Sequence, residues 1–157
     1  MGKEWSVEIC NSILPNSPLI LITIISPMNR YNTDIEVRYA ETDAMGVVHH
    51  SSYAVWFELA RVQALRVLGL AYDRLEAEGF SLPVLKLEIE YLRPAKFGDF
   101  VRVQVDLERE GGMLFHFVYE VFRGEELLAR GKTSHAFTSQ GKPVRPPKIF
   151  LDIAFAE

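Results

Sequence analysis

The chain has 157 residues, enough for one domain with a sizeable hydrophobic core. Its net charge of −4 gives no reason to expect nucleic acid as a partner, and 48% hydrophobic with 24% charged residues is ordinary for a globular protein. The single cysteine, Cys10, excludes an internal disulfide and a cysteine-based zinc site, so the cytoplasm is the expected compartment.

Residues 1–28 differ from the rest of the chain. Three prolines interrupt them, and their apolar run, residues 19–25, is seven residues long. A membrane span takes about 20 residues, so this run is too short to cross a bilayer. We predict a poorly ordered extension over residues 1–28, with Met28 as the functional start, followed by a single domain over residues 29–157.

The next elements are a short strand and one long helix. Residues 35–39 alternate apolar and charged side chains, which predicts a strand. Residues 52–68 carry apolar side chains at helical spacing, which predicts an amphipathic helix. Its apolar stripe consists of Tyr53, Trp56, Phe57, Ala60, Ala64, Val67 and Leu68, with Glu58, Arg61 and Arg66 outside it. Gly69 stands where a C-terminal cap is expected, and residues 72–78 predict a second, short helical turn.

From residue 82 onward the hydrophobic period changes to two. Strands are predicted over residues 85–91, 101–107, 113–121 and 127–137, and the last three form an antiparallel meander. The proline-rich tail after Gly141 is expected to pack as an irregular arm.

A strand, a helix and then four strands predict an α+β fold, with one long helix wrapped by a curved antiparallel sheet of about five strands. So small a sheet leaves edges uncovered, so dimerisation is expected.

The loop ahead of the long helix gathers reactive groups. It contains Asp43 and Gly46, followed by His49 and His50. Asp43 lies about nine residues before the predicted helix, too far to cap it, which favours a chemical role. The first N–H groups of a helix have no intrahelical partner and lie at the positive end of the helix dipole. Carboxylate, glycine, histidine and helix start together are suited to holding a reacting carbonyl.

Residues 39–61, YAETDAMGVVHHSSYAVWFELAR, resemble the hotdog-fold acyl-CoA thioesterases of the 4-hydroxybenzoyl-CoA thioesterase type. The pattern is similar to that of the bacterial short acyl-CoA thioesterases: an Asp, a Gly three residues later, two β-branched residues, an aromatic residue or His, and then His. The segment 91–99 also resembles a later part of the family pattern, and the whole resemblance covers residues 34–145. It implies a hotdog fold and hydrolysis of an acyl-CoA to a free acid and CoA. It also implies homodimers or homotetramers with the active site at the subunit interface.

By position, the resemblance assigns Asp43 as the nucleophile or general base and His50 as the residue whose backbone N–H polarises the thioester carbonyl. Gly46 is expected to bring the loop close to the carbonyl or to adopt a positive φ. The expected substrate contacts are Val48, His49, Tyr53, Glu58, Arg93 and Lys132. Further candidates are Trp56 and Phe57 for an acyl tunnel, and Lys96, Arg130 and Lys142 for the phosphates of CoA.

The remaining polar residues are interpreted as structural. These are Glu41 as a solvated loop residue, Ser51 and Ser52 as helix caps, Glu58 and Arg61 as an ion pair, and His116 and His135 as core or surface groups. His49 has a second interpretation as a packing or surface residue. No metal-binding spacing is present, so neither a metal nor another cofactor is predicted.

Two other functions stay open at this point. A hotdog dehydratase or hydratase acting on acyl thioesters would use His50 together with Glu58, although their spacing is shorter than that class normally has. A non-catalytic acyl-CoA-binding protein would use the same loop without turnover. The pattern does not determine the acyl group, which is short, long or aromatic, or the choice between dimer and tetramer.

Overall fold

The structure, a computed structural model, describes residues 30–109 and 112–155. The predicted extension over residues 1–28 lies outside the described residues. In chain order the elements are β1 (Tyr31–Glu36), a 3₁₀ turn (Tyr39–Glu41), α1 (His50–Val67), α2 (Tyr72–Ala77), β2 (Val84–Tyr91), β3 (Phe100–Arg109), β4 (Leu114–Arg123), β5 (Glu126–Ala136), β6 (Thr138–Ser139), β7 (Lys142–Pro143) and α3 (Lys148–Ala154).

Five strands form one antiparallel sheet in the order β1-β3-β4-β5-β2. The strands β3, β4 and β5 are neighbours in both sequence and space, which confirms the predicted meander. The helix α1 lies against one face of this sheet, and its closest backbone approaches are to β1 and β3. The architecture is therefore the predicted α+β arrangement of one long helix on a five-stranded antiparallel sheet.

The hydrophobic core lies between α1 and the sheet face that it covers. The ring of Phe57 stacks on that of Tyr119 in β4, with centroids 4.2 Å apart and planes inclined by 7°. Trp56 is also buried, and full burial of an aromatic or aliphatic side chain contributes about 1.5–3 kcal/mol. The inward rows of the two central strands are confirmed for Val101, Val103, Val105, Phe115, Phe117, Tyr119 and Val121.

The predicted position of the first strand is wrong. It was expected over residues 35–39, whereas β1 spans Tyr31–Glu36. Its length is determined by its pairing with β3, which runs from the Tyr31–Val105 pair to the Glu36–Phe100 pair. Val37 still exchanges backbone hydrogen bonds with Gly98 and Asp99, and the 3₁₀ turn begins at Tyr39. A distant partner strand therefore decided the boundary, and local alternation does not reveal it.

Two residues of α1 contradict the predicted stripe. Arg61 was expected outside it but is buried, with its guanidinium 5.9 Å from the centre of the Phe117 ring. A long aliphatic stem and a flat cation that packs on an aromatic face make this burial possible. Val67, expected inside, is the last residue of α1 and is 74% exposed, so the buried stripe ends near Leu65.

The strand β2 forms one edge of the sheet, and its apolar row is left open. Leu85, Leu87 and Tyr91 are between 44% and 56% exposed. Leu87 pairs with the buried Thr133 of β5 and Tyr91 with the buried Ala129, so these two side chains are on the same side of the sheet as α1. The helix lies closest to β1 and β3, at the other end of the strand order, and leaves this row uncovered.

The tail is more regular than the sequence predicted. Instead of an irregular arm, residues after Gly141 form β7 and the short helix α3. Phe150 of α3 is fully buried, with ring centroids 5.0 Å from Phe115 and 4.8 Å from Phe137. The prolines that suggested irregular structure precede the helix, where a fixed φ and a missing N–H are tolerated.

Gly131 of β5 gives a direct test of the contact between α1 and the sheet. A Cβ atom at this position would overlap the ring of Phe57 and approach the carbonyl oxygen of Glu88 to 3.1 Å. Because the ring is stacked on Tyr119, it has little freedom to move away. We expect Gly131→Ala to lower the free energy of unfolding by about 1–3 kcal/mol, measured by chemical denaturation.

The double variant with Phe57→Leu is the matched control for this prediction. A smaller side chain relieves the overlap, so Gly131→Ala should cost less in that background than in the wild type. An unchanged free energy of unfolding in the single variant Gly131→Ala would contradict this account of the contact.

Candidate active site

The loop between the 3₁₀ turn and α1 is closed by its own backbone. Thr42 and Val48 form an isolated antiparallel bridge, and the N–H of Asp43 donates to the Val47 carbonyl at 2.9 Å. The turn inside this bridge requires Gly46, whose φ is +73°, a conformation that other residues rarely adopt. The positive φ foreseen for Gly46 is therefore present.

Asp43 is held at the start of this turn and keeps part of its carboxylate available. Its Oδ1 accepts a hydrogen bond of 2.8 Å from the N–H of Met45, and its carbonyl accepts one of 2.9 Å from Gly46. The side chain is partly exposed to solvent. One carboxylate oxygen is thus used to hold the turn, while Oδ2 has no hydrogen-bond partner among residues 30–109 and 112–155.

The helix begins two residues earlier than predicted. It starts at His50, with His49 as its N-cap, so Ser51 and Ser52 belong to the first turn and their predicted capping role is wrong. The Nδ1 atom of His49 accepts from the Ser51 N–H at 3.3 Å and lies 2.7 Å from the Ser51 hydroxyl. An imidazole nitrogen therefore performs the acceptor role that the sequence assigned to a serine hydroxyl.

The backbone N–H groups around the helix start are paired on both sides of His50. The N–H of His49 donates to the Glu41 carbonyl at 2.8 Å, and that of Ser52 donates to the His49 carbonyl at 3.0 Å. Within the part of the chain that the structure describes, the N–H of His50 has no acceptor. A single unpaired donor is left at the positive end of the α1 dipole, on an exposed residue.

The edge strand β2 contacts the start of α1 through Tyr91. The hydroxyl of Tyr91 donates to the His50 carbonyl at 2.9 Å, and its ring packs edge-on against that of Tyr53 with centroids 5.2 Å apart. No local pattern predicts this bond, because the two residues are 41 positions apart. The helix start is thereby tied to the uncovered edge of the sheet.

Glu41 is the largest error among the predicted loop residues. Expected as a solvated side chain, it is only 7% exposed and accepts hydrogen bonds from Arg38 and from Trp56 Nε1. Burial acts to raise the pKa of this carboxyl, but the hydrogen bonds outweigh burial and hold the pKa below its ordinary value. The available signals were an Arg three residues before Glu41 and a Trp fifteen residues after it, in the second turn of α1.

The predicted substrate contacts are only partly brought together. Val48, His49 and Tyr53 lie at the loop and the helix start, and Val48 and Tyr53 are buried. Glu58 is exposed on α1, about 12 Å along the helix axis from His50 at 1.5 Å per residue. It does not form the expected ion pair, since Arg61 is directed into the interior.

The proposed phosphate patch does not form one cluster within the protomer. Lys132 faces away from α1, because the adjacent Gly131 and Thr133 face the helix side of the sheet. Its Nζ is 4.0 Å from Glu108, while Arg93 pairs with Glu126 at 3.2 Å and Arg130 with Glu120 at 3.5 Å. The cations therefore balance neighbouring carboxylates along the sheet.

A buried polar chain connects β4 and β5 beneath α1. Tyr119 OH is 2.9 Å from Thr133 Oγ1, which is 2.8 Å from His135 Nε2, and His135 Nδ1 is 3.3 Å from the Leu82 carbonyl. Burial, together with the positive charge of Arg61, lowers the pKa of His135 to about 4. The imidazole is thus neutral at pH 7 and part of the core, in accord with the structural interpretation.

Neither a metal-binding cluster nor a membrane-spanning helix is found in the described part of the chain. Across residues 30–109 and 112–155, no group of three or more His, Cys, Asp or Glu side chains is arranged to hold a metal ion. No helix in this part of the chain is long and apolar enough to cross a membrane.

Comparison with known proteins gives one consistent result. The thioesterase-like superfamily matches residues 37–153. An acyl-CoA thioesterase from Haemophilus influenzae, YbgC, is 32% identical over 123 residues, which cover 76% of this chain and 90% of the relative. Crystal structures include the hypothetical protein TT1821 from Thermus thermophilus, with 43% identity, a TM-score of 0.75 and coverage of 79% and 97% of the two chains. A DHNA-CoA thioesterase from Staphylococcus aureus has 35% identity, a TM-score of 0.71 and coverage of 80% and 83%.

The chain therefore belongs to the thioesterase-like superfamily. This membership confirms the resemblance drawn from the loop, the hotdog fold and the enzyme class, a thioester hydrolase. The match covers the loop that carries Asp43, α1 and the strands β2 to β5, and it begins just after β1.

The neutral, buried His135 predicts a specific dependence of stability on pH. Between pH 6.5 and about 4 the unfolded chain binds a proton at this imidazole that the folded chain excludes. The free energy of unfolding should therefore fall as the pH falls through this range, by about 3 kcal/mol from this residue.

Denaturation of the wild type and of His135→Gln at pH 7.5, 5.5 and 4.5 measures this contribution. The variant should be less stable at pH 7.5 but lose less stability on acidification than the wild type. Equal losses in the two proteins would show that His135 does not contribute to the acid sensitivity.

Proposed function

We propose that this protein hydrolyses acyl-CoA thioesters, with Asp43 and the His50 N–H as the reacting groups. The observation that carries the proposal is the unpaired His50 N–H at the start of α1, in a turn where the adjoining donors are paired. The names of the relatives supply the substrate class, acyl-CoA, and the site supplies the chemistry.

In the proposed mechanism the carbonyl oxygen of the thioester accepts a hydrogen bond from the N–H of His50. As the tetrahedral intermediate forms, negative charge develops on this oxygen at the positive end of the helix dipole. The donor is already oriented and needs no rearrangement during the reaction. Loss of one such donor typically lowers kcat by about 10²–10³-fold.

Asp43 supplies the second requirement, an attacking group. Its free oxygen Oδ2 either attacks the carbonyl carbon to give a mixed anhydride, which water then cleaves, or removes a proton from an attacking water. In both routes the C–S bond breaks, water is consumed, the acyl group leaves as a carboxylic acid, and CoA leaves as a thiol. Gly46 shapes the turn that presents this carboxylate.

Val48, His49 and Tyr53 surround the reacting groups in this proposal, since they lie at the loop and the helix start. Arg93 and Lys132 are proposed as contacts of the CoA phosphates only where a second subunit brings them to the site, because Lys132 faces away from α1 within the protomer. Glu58 is too far along the helix from His50 to favour the hydratase pairing.

We also propose that the active site is completed at a subunit interface. Edge strand β2 exposes Leu85, Leu87 and Tyr91, while the hydroxyl of Tyr91 contacts the start of α1. A second protomer that covers this edge would lie next to His50 and bury the apolar row. This argument predicts a homodimer. The homotetramer and the cytoplasmic location stay predictions.

The central test is Asp43→Asn, which keeps the size and hydrogen bonding of the side chain but removes its charge. Free thiol release from a panel of short, long and aromatic acyl-CoAs should show kcat lowered by about 10²–10⁴-fold, with a small change in KM. Asp73→Asn, at an exposed carboxylate in α2, is the matched control and should keep the activity of the wild type. Equal rates in Asp43→Asn and the wild type would rule out the mechanism.

The interface proposal has its own test in Leu87→Glu. A charge in the uncovered apolar row should oppose burial of this edge and shift the protein toward the monomer in light scattering, with loss of hydrolysis. Lys86→Glu places the same charge on the opposite face of the same strand and should preserve both assembly and activity. A fully active monomer of Leu87→Glu would refute a site shared between subunits.

A further inference from the structure

Glu41 is a buried carboxylate that the proposed chemistry does not use. It lies two residues before Asp43, at the last position of the 3₁₀ turn, and is 7% exposed. Burial of an ionised carboxylate is costly unless its oxygens are paired, so its partners should show what holds it there.

Three donors converge on the two carboxylate oxygens. Oε2 accepts from the backbone N–H of Arg38 at 2.8 Å, and Oε1 accepts from Nη2 of Arg38 at 2.9 Å. The third donor is Nε1 of Trp56, 3.0 Å from Oε1. The first two bonds close the 3₁₀ turn on itself, whereas the third fastens the turn to the body of α1.

The backbone of the same residue binds the beginning of α1. The carbonyl of Glu41 accepts from the N–H of His49 at 2.8 Å and from the hydroxyl of Ser52 at 3.3 Å. Glu41 therefore touches the helix at two levels, at its N-cap through the carbonyl and seven residues further on through the carboxylate. These two contacts determine the distance and the tilt, relative to α1, of the segment that leads into Asp43.

Trp56 gives the contact a rigid base. Its side chain is 1% exposed, and its ring packs against that of Tyr53 with centroids 4.8 Å apart. An indole N–H in such a place has to find an acceptor, and Glu41 provides it. The bond therefore satisfies a buried donor on the helix and a buried acceptor on the turn together.

We propose that Glu41 is a positioning residue that sets the Asp43 carboxylate relative to the N–H of His50, a role that rests on the proposed function. The two reacting groups lie on opposite arms of the closed loop. The carboxylate of Glu41 and its partners Arg38 and Trp56 are here called the Glu41 clamp. The clamp joins those arms to one rigid helix. A displacement of about 1 Å between reacting groups is enough to lower a rate about 100-fold.

The clamp is tested first by activity. Glu41→Gln keeps an oxygen for Trp56 but gives up the charge and an acceptor for Arg38. We expect kcat to fall about 10–100-fold with KM changed less than about threefold, because substrate binding does not involve this side chain. Glu36→Gln, at an exposed carboxylate in β1, is the matched control and should retain the kcat of the wild type.

A second variant, Trp56→Phe, removes the helix side of the clamp and keeps an aromatic ring in the core. Like Glu41→Gln, it should lower kcat. The cycle uses Glu41→Leu, which removes the acceptor that Glu41→Gln keeps. If Glu41 and Trp56 act through their shared hydrogen bond, the double variant Glu41→Leu/Trp56→Phe should lose less than the product of the two single losses. Losses that simply multiply would show that the two residues act separately and would overturn the clamp.

Hydrogen exchange gives a readout that does not depend on turnover. In Glu41→Gln, amides of residues 42–49 should exchange roughly tenfold faster, while those of the central strand β4 keep their protection. Unchanged exchange in residues 42–49 overturns the proposal whatever the activity. Faster exchange together with an unchanged kcat also overturns it, because Glu41 would then hold the loop in place without affecting the reacting groups.

The two proposals fail in different ways. If the wild type hydrolyses no acyl-CoA, the proposed function fails, and the exchange experiment then decides alone whether the clamp holds the loop. If the wild type is active and Glu41→Gln matches it in kcat, the function stands and the positioning role of Glu41 is refuted.

Discussion

The junction at which the 3₁₀ turn passes into α1 determines the arrangement of the site. The carbonyl of Glu41 accepts the His49 N–H, and the bridge between Thr42 and Val48 closes the loop that carries Asp43. The His49 N–H is thereby paired, the Ser52 N–H donates to the His49 carbonyl, and the N–H of His50 between them has no acceptor in the described chain. A helix start with a single unpaired donor in the described chain, preceded by a closed loop with a partly exposed carboxylate, follows from ordinary backbone pairing.

Some of this arrangement could be predicted from the sequence because it depends on local pattern. The period of two from residue 82 onward identified the meander, and the spacing of Tyr53, Trp56 and Phe57 identified the buried face of α1. The positive φ of Gly46 follows from the small set of residues that adopt it. These features require no knowledge of distant partners.

The errors have a common physical cause, which is pairing between residues far apart in the chain. Glu41 was taken as solvated because its acceptor role depends on Trp56, fifteen residues later. Arg61 was placed outside the core because charge alone does not reveal that its stem and guanidinium pack over Phe117. The bond from the Tyr91 hydroxyl to the His50 carbonyl joins residues 41 positions apart and was not predicted. The exposed row of β2 likewise reflects its place in the sheet order, which alternation does not encode.

The account depends on the Asp43 carboxylate and the His50 N–H acting on the same thioester. The most direct measurement is a crystal structure of the assembled protein with a non-hydrolysable acyl-CoA analogue. The account predicts the analogue's carbonyl oxygen about 2.7–3.1 Å from the His50 nitrogen. It also predicts a carboxylate oxygen of Asp43, or a water bound to it, about 3–3.5 Å from the carbonyl carbon. An analogue bound with its carbonyl away from the start of α1, or with Asp43 directed away from it, would contradict the account.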